Sequence, residues 1–375
     1  MYRDWFIATN FKVMSGIFFN LLNKDTSISR SDKSHYADHH VYHNIFKHIL
    51  KTRATNILGH SICLDDGEIS FDWKKDCYYA MNIAHIGNTA GVAFTIASEQ
   101  QKNGHRIDIF VFDDGTHKQF GGIRINYNSR WEKWRFHHKL QEYDIWHYHY
   151  PYGSLQEKLE SKKTGKIFLK HYHGDDLRGK HEKEFCVVST PDLLKYAPKG
   201  VWIPNPINFK EILNIKQKPS SKIPKIAHYP YYNVMKSFTD YHSGVLTKLE
   251  NHGVCNVIKI INVSHKESLE LISTCDIVIG KILPDVGWFG KFELEAMALG
   301  KPVIAYVSDE LYDKFKPPIF RTTPDTIEND ISSLLNDMDE RERLSKEGLK
   351  YVKDNHDASK VTKLIQDCYE KLVKQ

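Results

Sequence analysis

From Cys77 onward, the sequence alternates short apolar runs typical of strands with longer segments typical of helices. The first unit reads CYYAMNIAHI, then the turn GNTAG, then VAFTIASEQQKNG and the strand-like run HRIDIFVF. This strand–helix–strand order is typical of a parallel α/β sheet, and a second series of the same kind begins at KIAHYPYY. The pattern predicts an α/β protein with two Rossmann-like domains facing a cleft, in which ligands bind at the carboxyl ends of the strands.

A segment rich in Pro, Asn, Lys and Ser, PNPINFKEILNIKQKPSSKIP, separates the two series and indicates a domain boundary. We therefore predict a first Rossmann-like domain over residues 77–208 and a second over 209–355. Residues 1–76 are predicted to form an N-terminal extension of unclear fold. The helical segment 356–375 is predicted to pack back on the first domain.

The composition is that of a globular protein with a sizeable core. The chain has 375 residues, of which 41% are hydrophobic, and a net charge of +5, which argues against nucleic-acid binding. Its six cysteines form no CxxC pair, which favours reduced thiols in a cytoplasmic protein. No apolar run is long enough to span a bilayer. The helical pattern between Phe6 and Leu22 fits a helix packed on the protein or one lying on a membrane surface.

The turn GNTAG, residues 87–91, follows the first strand and precedes its helix. Gly87 and Gly91 let the backbone approach a ligand closely, and a helix N-terminus favours negative charge. Because the turn is not GxGxxG, a dinucleotide site is disfavoured. A structural tight turn and a phosphate-facing loop are two interpretations of this segment.

Two of the strand-like runs carry a His-x-His pair, His147 with His149 and His171 with His173. Alternate residues of a strand share one face, so two such pairs on adjacent strands predict a metal site, hydrogen-bonding histidines at the cleft or buried structural histidines. His173 opens the sequence HGDD at the carboxyl end of its strand. We favour a hydrogen-bonding role at the cleft and expect no bound metal.

The segment GWFGKFELEAMALGKPVIAY, residues 287–306, places Gly287 and Gly290 before a helix that is apolar nearly all round. Backbone N–H groups at a helix N-terminus suit phosphate or sugar oxygens. Glu293 and Glu295 are about 200° apart around this helix, so both cannot address one ligand. A buried carboxylate needs a partner, which is either a ribose diol or a protein Lys or Arg. Helix geometry alone leaves both glutamates as candidates.

Lys236 stands where a helix is expected to begin, after the first strand of the second series. A lysine in this position neutralises a bound diphosphate, or else it is a solvated surface residue.

Together these motifs resemble the retaining GT-B glycosyltransferases of family 4, the "glycosyl transferases group 1" type. The resemblance rests on FGKFELEAMALGKPVIA, which is similar to the signature helix of that family, with GNTAG, HGDD and WIPNPI in the expected order. It covers roughly residues 77–375 and implies a GT-B fold, with the first domain binding the acceptor and the second binding the donor.

The resemblance also implies roles for single residues. Glu295 matches the glutamate that binds the nucleotide ribose, and His173 matches the cleft histidine near the transferred sugar. Phe289 and Gly290 match the loop whose backbone contacts the donor. Lys236 matches the basic residue that holds the donor diphosphate, and Gly91 matches the glycine loop near that diphosphate. Gly87, in the same loop, is also expected to bind the donor.

Two positions depart from the family pattern. Gly287 stands where a second glutamate is usual, and the nearby Asp285 is a candidate substitute. Asn233 stands where an arginine often precedes the diphosphate lysine. Both departures concern donor binding.

The resemblance implies transfer of a sugar from a nucleoside diphosphate sugar to an acceptor hydroxyl, with retention of configuration. His173 and Lys236 are the expected catalytic residues, and no cofactor or essential metal is expected. The expected acceptor is a glycan, a lipid-linked molecule or a small molecule, with peripheral membrane contact as a further expectation. The alternatives are a GT-B-type epimerase or phosphorylase and a non-catalytic nucleotide-sugar-binding protein.

Overall fold

The computed structural model describes residues 63–65, 68–70, 80–112, 120–126, 128–150, 153–216, 222–230 and 242–373. In the N-terminal region, β1 (Cys63–Asp65) pairs antiparallel with β2 (Glu68–Ser70), in a unit of its own. The rest of the predicted extension lies outside the described residues. Among the described helices, none has the length and apolar character needed to cross a bilayer.

The first sheet of the larger unit is parallel throughout. In the described part of the chain its strands are β3 (Asn82–Ile86), β4 (Arg106–Phe112), β5 (Ile123–Ile125), β6 (Ile145–Tyr148), β7 (Ile167–Tyr172), β8 (Val187–Val188) and β9 (Val201–Trp202). Their order is β5-β4-β3-β6-β7-β8-β9, so the direction of winding reverses between β3 and β6. Such a reversal opens a crevice at the carboxyl ends of the strands, where ligands bind in sheets of this type.

Helices cover both faces of the first sheet. They are α1 (Val92–Lys102), α2 (Arg130–Leu140) and α3 (Leu155–Lys163). One face packs Phe110, Trp146 and Tyr148 against Phe136 of α2. Each of α2 and α3 is preceded by an N-cap serine, Ser129 and Ser154 respectively. The serine side chain accepts a hydrogen bond from the N–H of the third helical residue, as N-cap side chains do.

The second sheet is also parallel and follows a short helix, α4 (Phe209–Leu213). Its described strands are β10 (Lys225–His228), β11 (Asn256–Lys259), β12 (Ile277–Ile279), β13 (Val303–Ala305) and β14 (Phe320–Arg321), in the order β11-β10-β12-β13-β14. The winding reverses between β10 and β12. The surrounding helices are α5 (Ser243–Asn251), α6 (His265–Ser273), α7 (Lys291–Ala298), α8 (Asp309–Phe315), α9 (Ile327–Asn336) and α10 (Met338–Asn355).

The last helix, α11 (Ala358–Val373), returns to the first sheet. Its buried side chains share one apolar core with Ile83, Ile145 and Leu169 of the first sheet. The returning chain runs beside the outgoing one, because the Ile207 N–H donates to the His356 carbonyl at 2.7 Å and the Ala358 N–H donates to the Ile207 carbonyl at 3.1 Å. The predicted α/β architecture with two parallel sheets is confirmed.

Candidate donor site

Two loops meet at the crevice, one from each sheet. The turn at residues 87–91 follows β3, and the segment 280–290 follows β12, so both lie at points where the winding reverses. The Lys291 Nζ donates to the carbonyl oxygen of Ala90 at 2.8 Å and joins the two loops directly. Among the described residues, the turn at residues 87–91 and the segment 280–290 therefore face each other across one cleft.

The glycines of the first loop have structural reasons to be glycine. Gly87 has a φ of +83°, and a Cβ added there would lie 1.8 Å from the carbonyl oxygen of Tyr150. Gly91 has a φ of +71°, and its added Cβ would lie 2.7 Å from the Phe120 ring. The side chain of Asn88 accepts a hydrogen bond from the Phe94 N–H at 3.1 Å and steadies the start of α1. The tight-turn interpretation therefore accounts for both glycines, and a role in binding phosphate is an additional proposal.

The second loop is held against β13 and α8. Gly287 has a φ of +72°, and its carbonyl accepts a hydrogen bond from the Ser308 N–H at 3.1 Å. A Cβ at this position would lie 3.1 Å from the Ser308 side chain, so an acidic residue would crowd the loop. Asp285 is exposed, whereas Trp288 and Phe289 are buried and stack at 4.5 Å between ring centroids.

The two glutamates of α7 point to different surroundings. Glu293 is fully buried, and its carboxylate accepts the N–H of Gly290 at 2.9 Å and the N–H of Lys281 at 2.7 Å. Glu293 thus fastens the loop onto the helix, as expected for a structural residue. The Gly290 N–H is engaged inside the protein by this contact instead of being presented to a ligand.

Glu295 faces the cleft and has a histidine partner that the sequence did not indicate. Its Oε1 accepts a hydrogen bond from His265 Nε2 at 2.8 Å, and the Lys291 ammonium lies 3.6 Å away. The other ring nitrogen of His265 donates to Glu211 at 3.1 Å. Burial opposes protonation of this ring, but the hydrogen bonds to Glu211 and Glu295 outweigh it and raise the pKa of His265 to about 9. An imidazolium therefore bridges two carboxylates at neutral pH.

A cavity of about 240 Å³ opens beside these groups. Its wall includes Glu295, Lys291 and His265 from the second domain and Phe94 and Phe120 from the first. Because Glu211 and Lys266 also line it, the cavity combines two carboxylates, three basic side chains and aromatic rings. Such a mixed lining suits a ligand with hydroxyl groups, negative charge and a flat apolar part.

The HGDD segment after β7 is stabilised by hydrogen bonds and ion pairs of its own aspartates, Asp175 and Asp176. The Asp176 carboxylate accepts the N–H groups of His173 and Gly174 at 2.9 and 2.7 Å. Arg178 pairs with Asp192 and with Asp175, both at 2.9 Å. His173 is half-buried at the carboxyl end of β7, where its Nε2 lies 3.0 Å from His149 Nδ1 and its Nδ1 lies 2.7 Å from the Ser189 hydroxyl.

Lys236 and Asn233 lie outside the described residues. Three basic groups that the sequence analysis did not single out are close to the cleft loops. They are Lys291 and His265, already described, and Lys281, whose Nζ would lie 2.8 Å from a Cβ added at Gly290. Burial lowers the pKa of Lys281, while the Glu293 carboxylate counteracts that effect. The position of Lys291 directly after Gly290, at a helix N-terminus, was the one available signal in the sequence.

Comparison with known proteins identifies the architecture. Neither a protein-family model nor a curated protein matches the sequence. Solved structures match over most of the chain. A glycosyltransferase from Rickettsia africae ESF-5 has a TM-score of 0.55 at 14% identity, covering 80% of this chain and 100% of its own. HepE from Anabaena in complex with UDP-glucose has a TM-score of 0.56 at 14% identity, with coverages of 78% and 100%. At these identities the likeness establishes the fold alone, and that fold is GT-B.

Proposed function

We propose that the protein transfers a sugar from a nucleoside diphosphate sugar to an acceptor hydroxyl. The observation that carries the proposal is that Glu295 and Lys291 line one cavity of a GT-B fold, while Lys291 also donates a hydrogen bond to Ala90 in the turn at residues 87–91. HepE, which shares the fold, is a protein solved with UDP-glucose and with UDP. In this chain, the Glu295 carboxylate would accept hydrogen bonds from the ribose hydroxyls of the donor. The positive charges of Lys236 and Lys291 would offset the negative charge of the diphosphate.

The family resemblance supports retention of configuration at the transferred sugar, without an essential metal. Catalysis then rests on positioning the donor and on stabilising the departing diphosphate. Lys236 and Lys291 supply positive charge, and the N-terminus of α1 after Gly91 supplies N–H groups. His173 is proposed to orient the transferred sugar. Asp285, Gly287 and Asn233 belong to the proposed donor-binding segments.

The first test is a thermal-shift screen of the full chain against UDP-, GDP- and ADP-sugars, followed by a transfer assay. The expected result is a rise in melting temperature with one class of nucleotide sugar, because ligand binding to the folded state stabilises it. Product formation without an acceptor would indicate an epimerase instead, and dependence on free phosphate would indicate a phosphorylase. Binding without transfer or hydrolysis under any acceptor would indicate a non-catalytic binder.

A matched pair of variants on α7 sharpens the test. Glu295→Ala is expected to abolish the donor-induced thermal shift while the protein remains folded. Glu293→Gln is expected to lower the melting temperature and to leave the donor-induced shift in place, because Glu293 fastens the loop from inside. Equal loss of donor binding in both variants would contradict the assignment of Glu295.

Lys236→Ala tests the catalytic step. Removing one group that stabilises developing charge typically costs about 10²–10³ in rate. We expect most turnover to be lost while the circular dichroism spectrum is unchanged. Activity should survive treatment with a chelator, and near-normal turnover of Lys236→Ala would overturn the proposed role.

We also propose that the acceptor is lipid-linked and that α2 contacts the membrane surface. Trp131 and Trp134 are 63% and 51% exposed and stack at 5.0 Å between ring centroids. The basic residues Arg130, Lys133 and Arg135 lie on the same helix, and all three are exposed. Exposed tryptophans beside basic side chains suit the interface of an anionic membrane.

A further inference from the structure

Five histidines lie together on one face of the first sheet, the face covered by α1 and α11. On each of their strands, the side chains on this face are those of alternate residues. Those nearer the amino end are aliphatic and those toward the carboxyl end are histidines, as Ile145 is followed by His147 and His149. His85 is directly opposite His147 in the strand register. The members of this cluster, called here the histidine cluster, are His85, His147, His149, His171 and His173.

His85, His147 and His149 each have one ring nitrogen held by a hydrogen bond from outside the trio. His85 Nε2 lies 2.8 Å from the side-chain oxygen of Gln100 on α1. His147 Nδ1 lies 2.7 Å from the hydroxyl of Tyr369 on α11. His149 Nδ1 lies 3.0 Å from His173 Nε2. These contacts fix which ring nitrogens remain directed at the centre of the group.

The inward nitrogens converge. His85 Nδ1 and His149 Nε2 are 2.9 Å apart, and one ring nitrogen from each of His85, His147 and His149 lies within 4.8 Å of the others. His147 is fully buried, and its Nε2 has no hydrogen-bond partner among the described residues. A buried ring nitrogen without a partner is unusual, because interior polar atoms are nearly always satisfied.

We propose that His85, His147 and His149 form a binding site for a divalent transition metal such as Zn²⁺. The ligand atoms are His85 Nδ1, His147 Nε2 and His149 Nε2. Zinc–nitrogen bonds of about 2.0–2.1 Å in a tetrahedron place two nitrogens about 3.3 Å apart, so the His85 and His149 rings need to part only slightly from their 2.9 Å contact. The ion gives the orphaned His147 nitrogen a partner.

The chemistry of the group suits such an ion. Burial lowers the pKa of His85 to about 4 and the pKa values of His147 and His149 well below the ordinary value, so neutral rings offer lone pairs at neutral pH. Imidazole is a ligand of zinc, copper and nickel, whereas magnesium and calcium prefer oxygen. Each ligand ring also has its second nitrogen held from outside, which is the usual arrangement around a metal centre.

This site is tested separately from the proposed sugar transfer, although its ligand His149 contacts His173, which is proposed to orient the transferred sugar. The three ligands lie in the core beneath α1 and α11, whereas Lys291 and Glu295 line the cleft. Metal binding is measured directly and not through enzyme activity. If no metal binds, the transferase proposal is unaffected, and if no sugar is transferred, the metal-site proposal is unaffected.

The experiment uses the full chain, stripped of metal by a chelator and dialysed. Titration with Co²⁺ is expected to produce the visible absorption of tetrahedral cobalt, saturating at one equivalent and lost on addition of Zn²⁺. Zn²⁺ should also raise the melting temperature of the stripped protein, because binding to the folded state stabilises it. Absence of a saturable cobalt signal in folded wild-type protein would overturn the proposal.

Three variants distinguish this trio from the rest of the histidine cluster. His147→Gln is expected to weaken Co²⁺ binding about 100-fold or more, since even residues supporting a metal ligand are worth 10–100-fold. His171→Gln, on the same sheet face, is expected to retain binding. Gln100→Leu removes the support of His85 and should weaken binding about tenfold, which gives a second readout if His147→Gln does not fold. Loss of binding in His171→Gln with retention in either of the other two would contradict the assigned ligands.

Discussion

The Lys291 ammonium donates a hydrogen bond to the Ala90 carbonyl at 2.8 Å and so ties the α7 N-terminus to the turn that follows β3. Ala90 itself has a left-handed backbone, with a φ of 50°. Lys291 also lies 3.6 Å from Glu295, with only 12% of its side chain exposed. A single cation therefore contacts both halves of the proposed donor site.

Replacing this lysine should impair catalysis more than folding. For Lys291→Met we expect kcat/KM with the nucleotide sugar to fall about 10²–10³-fold, because under the proposed function a charge beside the departing diphosphate is lost. Lys350→Met is the control, since that side chain is 79% exposed on α10. Steady-state kinetics provide the measurement, and equal kinetics for the two variants would exclude Lys291 from donor binding.

The contact between His265 and its two glutamates should make the protein less stable as the pH becomes alkaline. The folded-state pKa of His265, about 9, exceeds the ordinary value of 6.5, so its stabilising contribution is complete below about pH 6.5 and is lost as the pH rises through 9. Because a tenfold change in proton affinity corresponds to about 1.4 kcal/mol, the free energy of unfolding should fall by up to about 3 kcal/mol over this range. Urea denaturation at several pH values measures it. His265→Gln should show a flatter profile over the same pH values, and an unchanged slope would contradict the bridging role.

Two glycines with nearly the same φ allow the cost of backbone strain to be measured separately from the cost of a steric clash. Gly104 has a φ of +86° and no heavy atom within 4 Å of an added Cβ, whereas Gly87 has a φ of +83° and would place its Cβ against Tyr150. Gly104→Ala should cost about 1–2 kcal/mol in free energy of unfolding, which is the strain of a left-handed alanine. Gly87→Ala should cost about 3 kcal/mol or more, because the backbone must also move. Similar losses in urea denaturation would show that the Tyr150 contact is unimportant.

The exposed tryptophan pair on α2 provides a test of membrane contact. The double variant Trp131→Ala/Trp134→Ala should bind vesicles containing anionic lipid about tenfold more weakly or worse, because the buried apolar area sets this affinity. Donor binding, followed by thermal shift, should be unchanged. Vesicles of neutral lipid are the control for the basic residues of the helix. Vesicle sedimentation measures the affinity, and equal binding by the variant and the wild type would contradict the proposal.

Features that depend on local patterning were predictable from the sequence. The glycine-flanked α7 and the alternation of strands and helices follow from turn chemistry and periodicity, as does the shared face of His147 and His149. The two glutamates of α7 were predicted to face different surroundings, and their partners in the structure differ accordingly.

Features that depend on long-range pairing were not predictable. His265 is 30 residues from Glu295, and Tyr369 is 222 residues from His147, so no spacing in the sequence relates them. His85 stands alone on its strand, and only the register with β6 brings it to the His-x-His pair. The partner of the buried Glu295 was expected to be a lysine, an arginine or a ribose; Lys291 lies within ion-pair distance, and His265 is a second partner that was not expected.

The packing of α11 on the first sheet has a consequence for the order of events on the ribosome. The core of the first sheet includes Val361, Ile365 and Tyr369 of α11. These side chains are not available until the whole second sheet has been synthesised. Domains usually fold in the order in which they emerge, N-terminal first. Here the earlier sheet is completed last, so a nascent chain halted before residue 358 carries an open apolar face and incomplete hydrogen bonding around its buried histidines.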